Sequence, residues 1–168
     1  MEKILGFASM LLALFSLSAS YPSGYIAVPS VKSAQWNHTE TNNRENSMET
    51  KIKMTVGTRS FTVTLAENSS CEALLERLKQ GKVVVRMNDY DDMEKVGPLG
   101  FSLPRNDKQT VTAPGDVILY QGNYLVVYYD RNSWSFTRLG KVDGISSRDE
   151  MLELLGGKGN ISVTLSLP

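Results

Sequence analysis

Between Lys51 and Leu65 apolar side chains fall at alternate positions: Ile52, Met54 and Val56, then, beyond Gly57-Thr58, Phe61, Val63 and Leu65. A period of two belongs to a strand with one dry and one wet face, so the stretch predicts a hairpin. The period then changes. Ser69-x-x-Glu72 has the form of a capping box ahead of a helix over Cys71 to Leu78, and Gly81 stands where such a helix stops. Lys82 to Met87 returns to strand character. Further on, Ser147-x-x-Glu150 repeats the capping pattern, Met151, Leu152, Leu154 and Leu155 form an apolar stripe, and Gly156-Gly157 ends it. Ile161, Val163, Leu165 and Leu167 alternate as a last strand.

Ala113 to Gly144 is the most tightly specified stretch and predicts three adjacent strands. Pro114-Gly115-Asp116 is a turn signal, Val117 to Tyr120 is a short apolar run, and Gly122-Asn123 is the expected two-residue loop before Tyr124 to Tyr129. That loop sets a register in which Tyr120 faces Leu125, Leu119 faces Val126, Ile118 faces Val127 and Val117 faces Tyr128. Opposed residues share a face. Ile118, Tyr120, Leu125, Val127 and Tyr129 therefore form the expected core face. Val117, Leu119, Gln121, Tyr124, Val126, Tyr128 and Asp130 form the other, which still needs a cover: a helix, another strand or a ligand. Together the elements predict a mainly β fold with two short helices, its sheet closed into a barrel that leaves no exposed edge, with helices over the openings.

Ahead of this domain, Met1-Glu2-Lys3 precedes an apolar run from Ile4 to Leu17, and Ser16, Ser18, Ala19 and Ser20 are small. The run is short for a membrane span, so residues 1–20 read as a secretory signal peptide and the product as extracytoplasmic, periplasmic or secreted, with no membrane span after cleavage. Residues 21–49 are rich in Ser, Thr, Asn and Pro without apolar period and read as a flexible linker. The domain is then 50–168. Lys plus Arg (18) equals Asp plus Glu (18), which argues against nucleic-acid binding. A single cysteine excludes an intramolecular disulfide framework and a cysteine-based zinc cluster. The one histidine, His38, falls in the linker, so the domain has no imidazole for a catalytic triad or a metal.

Several pieces then line up in order: Asn88-Asp89-Tyr90, Glu94-Lys95, Pro114-Gly115-Asp116 with Tyr120, and Arg138-Leu139-Gly140-Lys141-Val142. With the sequence of hairpin, helix, strand and hairpin around them, the chain from about residue 50 to 168 resembles the small bacterial cyclophilin-like proteins. The resemblance implies a closed cyclophilin-like β-barrel. True cyclophilin isomerases present a Phe-His-Arg segment and a Gln-Gly-Gly-Asp segment, and this domain has neither. Arg86 lies in roughly the right region for a catalytic arginine but lacks the matching flanks.

The remaining local features are weighed against plainer readings. Asp89, Asp91, Asp92 and Glu94 concentrate negative charge, but Met93, Glu94 and Gly100 break the calcium-loop pattern, so a solvated acidic loop is expected. Cys71 in a first helical turn reads as a small packed side chain. Tyr120, Tyr124, Tyr128, Tyr129 and Trp134 are good strand residues, some of which suit a binding groove. The expectation is a non-enzymatic binding module for a peptide segment or small ligand, with no cofactor and no metal. Its site is expected beside the outer face of the central hairpin, with Tyr128 and Trp134 as aromatic contacts and Asn88, Tyr90 and Arg138 as orienting groups. A competing expectation has the Met151, Leu152 and Leu155 stripe packing over that face. The functional alternatives are a peptidyl-prolyl isomerase with its site rebuilt around Arg86 and the aromatics, since relieving amide resonance needs little acid–base chemistry, and a structural envelope protein.

Overall fold

The computed structural model describes residues 49–168; the expected signal peptide and nearly all of the expected linker lie outside them. Strands β1 (Lys51–Val56) and β2 (Arg59–Leu65) form the expected hairpin, followed by α1 (Ser69–Lys79) and β3 (Val83–Tyr90). Then come β4 (Glu94–Pro98), β5 (Lys108–Val111), β6 (Asp116–Tyr120), β7 (Tyr124–Tyr128) and β8 (Ser133–Val142). Helix α2 (Arg148–Leu154) and β9 (Ile161–Ser166) complete the chain. The strands run β2-β1-β9-β3-β4-β7-β6-β8, and β8 pairs back onto β2, so eight antiparallel strands close a barrel while β5 lies against the first part of β8. Closure requires a glycine. A Cβ on Gly140 would stand 2.3 Å from the Thr64 carbonyl oxygen, where β8 crosses to β2.

At eight strands the interior is just wide enough for side chains to fill it. Met54, Val85, Met87, Leu125, Val127, Leu139 and Leu165 do so, all fully buried. Leu74 and Leu78 of α1, and Met151 and Leu155 at α2, join the same cluster. Helix α1 follows the Leu65 end of β2, whereas Arg59 at the other end donates to the Glu153 carbonyl of α2, so the helices sit at opposite mouths. The α2 stripe therefore packs into the barrel and leaves the outer face of the central hairpin uncovered.

Both helix starts carry caps, one of them displaced from the expectation. At α2 the Ser147–Glu150 capping box forms in both directions. At α1 the cap is Asn68, one residue before Ser69: its side-chain oxygen accepts from the Ser70 and Cys71 amides, and its amide donates to the Arg138 carbonyl at 2.9 Å. That second bond ties the helix to β8, which Ser69 could not do from inside the helix. Cys71 donates to the Leu139 carbonyl, and burial pushes its thiol up to about 11, opposite to an activated thiol.

The register of the central hairpin corrects the sequence expectation. Tyr120 pairs with Tyr124, Leu119 with Leu125, Ile118 with Val126 and Val117 with Val127, so the loop has three residues. The left-handed pair is Gln121 (φ 51°) and Gly122 (φ 80°), closed by the Asn123 amide donating to the Tyr120 carbonyl, and Asn123 is the extra residue. A glutamine in that conformation is uncommon, and sequence rules favour the Gly-Asn pair instead. Tertiary bonds hold the unexpected choice: Leu99 and Leu103 amides donate to the Asn123 and Gly122 carbonyls, each at 2.8 Å. A one-residue slip reverses the faces of one strand. Val117 and Leu119 thus point inward with Leu125, Val127 and Tyr129, and Ile118 and Tyr120 point outward with Val126 and Tyr128.

The expected acidic loop is mostly strand. Asp89 and Tyr90 end β3, Glu94 begins β4, and only Asp91 (φ 49°), Asp92 (φ 53°) and Met93 turn the chain, in the same three-residue geometry. Aspartate tolerates the left-handed region because its short side chain bonds locally, so the two turn positions suit it.

Candidate functional site

The pleat of β4 sends consecutive residues to opposite sides of the barrel wall. Glu94 and Val96 point outward, Lys95 and Gly97 inward. On the outside, β4, β7, β6 and β8 bring together a second apolar cluster, Ile118, Val126, Tyr128 and Phe136, separate from the barrel interior. The Tyr128 and Phe136 rings are 5.8 Å apart and tilted, and Tyr120 meets Phe136 edge-on at 6.3 Å. Above this floor opens a groove of about 340 Å³. Glu94, Val96, Tyr120, Val126, Tyr128, Asn132 and Phe136 line it, together with Tyr90 and Trp134. Tyr90 and Trp134 are 61% and 60% exposed, whereas large apolar side chains are ordinarily covered.

The polar part of the groove is a short chain of groups. Asn132 is anchored to Thr112, whose backbone amide donates to the Asn132 carbonyl at 2.8 Å and whose hydroxyl accepts from the Asn132 backbone amide at 2.7 Å. Its side-chain amide donates to the Tyr128 hydroxyl at 3.1 Å. Tyr128 stands directly across the β4/β7 ladder from Glu94, its hydroxyl near enough to act on the carboxylate. Glu94 is only 8% exposed. Burial raises its pKa above the ordinary carboxylate value, the Tyr128 hydroxyl opposes that rise, and the Asp91 charge adds to it. Burial and the Glu94 carboxylate likewise push the Tyr128 phenol above the ordinary tyrosine range.

On the inner side of the same wall Lys95 is fully buried and fully bonded. Its ammonium donates to the Gly157 and Gly159 carbonyls at 2.9 and 2.8 Å and pairs with Asp89 at 3.2 Å. Asp89 also accepts from the Tyr129 hydroxyl at 2.6 Å and the Gly159 amide at 3.0 Å. Although burial opposes it, these donors hold Asp89 below its ordinary pKa. Arg148, paired with Asp92 and Asp130, lies over the Tyr129 ring. Asp89, through the Gly159 amide, and Asp92, through Arg148 and Lys158, thus tie the turn to α2 and the segment after it, a structural arrangement.

Three of the five expected site residues, Tyr90, Tyr128 and Trp134, meet in the groove. Asn88 is exposed on the same outer face, opposite Val96, but outside the lining. Arg138 is committed elsewhere, pairing with the buried Asp116. Arg86 is exposed on β3, paired with Ser162 of β9, and is likewise not in the lining. Sequence reasoning missed Glu94, Asn132 and Phe136. Phe136 carried a signal, since Trp134 and Phe136 alternate; Glu94 carried one too, at period two from Val96, but it was masked by the run of acidic residues. Among the described residues no group of three or more His, Cys, Asp or Glu side chains could hold a metal ion. No helix among them is long and apolar enough to cross a membrane.

An eight-stranded antiparallel barrel with a helix at each mouth defines the class as a cyclophilin-like β-barrel. Residues 54–166 match the cyclophilin-like family, and the chain belongs to it. Among solved structures it is similar to the hypothetical protein AF2241 from Archaeoglobus fulgidus, with a TM-score of 0.52 and 16% identity over 71% of this chain and 95% of that one. At that identity the likeness concerns the fold alone. A structure of McbB in complex with tryptophan aligns with a TM-score of 0.48 and 18% identity over 69% of this chain and 44% of McbB. No curated protein matches the sequence.

Proposed function

We propose that the cyclophilin-like domain is a non-enzymatic binding module whose ligand, a small molecule or a peptide segment, occupies the outer groove. The observation that carries this reading is the groove itself: exposed Tyr90 and Trp134 rings beside a buried carboxylate, in a concavity at the lower end of the small-ligand range. Its lining combines five aromatic rings with one carboxylate and one amide, groups suited to recognising a ligand. The isomerase alternative draws no support from the groove, because Arg86 is not in its lining. In the full chain carrying Trp36→Phe, ligands found by calorimetry among proline-containing peptides and small metabolites should shift Trp134 emission. They should also lose affinity in Tyr90→Ala and Trp134→Ala. Ligands indifferent to both substitutions would move the site elsewhere. The same peptides, followed by NMR exchange, should interconvert at the uncatalysed rate, on the order of tens of seconds or slower. Acceleration that vanishes in Arg86→Ala would establish the isomerase instead.

With the signal-peptide expectation for residues 1–20, the module acts outside the cytoplasm. Mass spectrometry of the protein from its native host should find an N-terminus near Tyr21. An abundant form retaining Ile4 would overturn export.

A further inference from the structure

Three charged side chains are buried among the described residues: Glu94, Lys95 and Asp116. Two of them have counter-ions within the fold, Lys95 with Asp89, and Asp116 with Arg138 and Lys141. Glu94 is the exception. The groups acting on its carboxylate are the Tyr128 hydroxyl, a neutral donor, and the Asp91 carboxylate, which repels it. A buried charge without a counter-ion is costly, and proteins ordinarily pair it or arrange for something else to do so. Here the carboxylate opens onto a groove with no lysine or arginine in its lining.

The walls point the same way. Tyr90, Tyr120, Tyr128, Trp134 and Phe136 contribute aromatic rings, whose faces carry negative quadrupole charge and attract cations. We propose that the groove selects a small organic cation, an ammonium group on an apolar body, with its charged head paired to Glu94 and its body against the Tyr90 and Trp134 rings. This deepens the binding-module reading and rests on it. A volume of about 340 Å³ suits a small molecule. An anionic ligand would add repulsion to that already exerted by Asp91. A neutral one would cover Glu94 further while leaving its charge uncompensated. An ammonium supplies the missing counter-ion.

Calorimetry on the full chain with three ligands of matched shape tests the charge without any substitution: cyclohexylmethylammonium, cyclohexylmethanol and cyclohexylacetate, at neutral pH. The cation should bind at least about tenfold more tightly than the alcohol, and the anion more weakly than either. Glu94→Gln, which keeps the shape and removes the charge, should bring the cation down to the affinity of the alcohol. Equal binding of cation and alcohol, tighter binding of the anion, or a cation preference that survives Glu94→Gln overturns the inference. Trp134 emission in the Trp36→Phe chain separates the two levels. If cation and alcohol bind equally and both shift it, the groove stands and the cation selectivity falls; if none of the three ligands binds or shifts it, both fall.

Discussion

Glu94 and Lys95 are neighbours in the chain and opposites in every other respect. Lys95 points into the barrel, where two carbonyls and Asp89 satisfy its ammonium. Glu94 points out of it, where one phenol and one like charge are its ionisable neighbours. The contrast separates a charge that holds the fold together from one that the fold leaves open. A buried ion with every bond made has nothing to offer a ligand. One with a bond unmade, facing a groove, does.

The largest effect that would test the contrast is on the inner side. Lys95→Ala leaves Asp89 and the Gly157 and Gly159 carbonyls without their shared donor, and should cost about 3–5 kcal/mol in urea denaturation of the full chain. A loss under about 1 kcal/mol would show that the inner network is no more structural than an exposed pair.

A second test uses pH, because the acids on the two sides titrate in opposite senses. Asp89 is held below its ordinary pKa, so its contribution to stability is present above the unfolded value and lost as pH falls through the folded one. Glu94 is raised, so its contribution is present below the unfolded value, near 4.3, and is lost as pH rises through the folded one. Subtracting the stability profile of Glu94→Gln from that of the unaltered chain removes Asp89 and the other depressed carboxylates. The difference should fall with rising pH above about 4. A flat or rising difference would mean that Glu94 is solvated or paired after all.

The smallest expected effect is at the groove rim. Trp134→Ala should change stability by less than about 0.5 kcal/mol, since the ring is mostly exposed and packs against little. A loss of about 2 kcal/mol or more would make Trp134 a core residue rather than part of a groove rim.

How far the chain could be read in advance differs by element. The β1/β2 hairpin, the α2 capping box and β9 were legible because each obeys a local rule: strict alternation, reciprocal capping, alternation again. The α1 cap lay one residue earlier than expected, where Asn68 could bond both its helix and Arg138, and only the neighbouring strand makes that visible. Tyr128 and Trp134, expected beside this face for their aromatic character, and Tyr90, expected as an orienting group from the family-like segment, all line the groove. Glu94 was passed over because its neighbours made it look like one more solvated acid.

By itself the sequence determined the class of fold, since the period of its apolar residues and the order of its turns leave few ways to bury them other than a closed sheet. It also determined that β7 has one face in the core and one outside. Which face of β6 joins each was decided by Gln121 adopting a left-handed conformation, stabilised by amides from Leu99 and Leu103, far enough along the chain that no local rule includes them. The separate fates of Glu94 and Lys95 were decided in the same way. A strand sends alternate residues to opposite faces, but which face meets Asp89 and two glycine carbonyls, and which meets an open aromatic groove, is known only once the barrel has closed around β4.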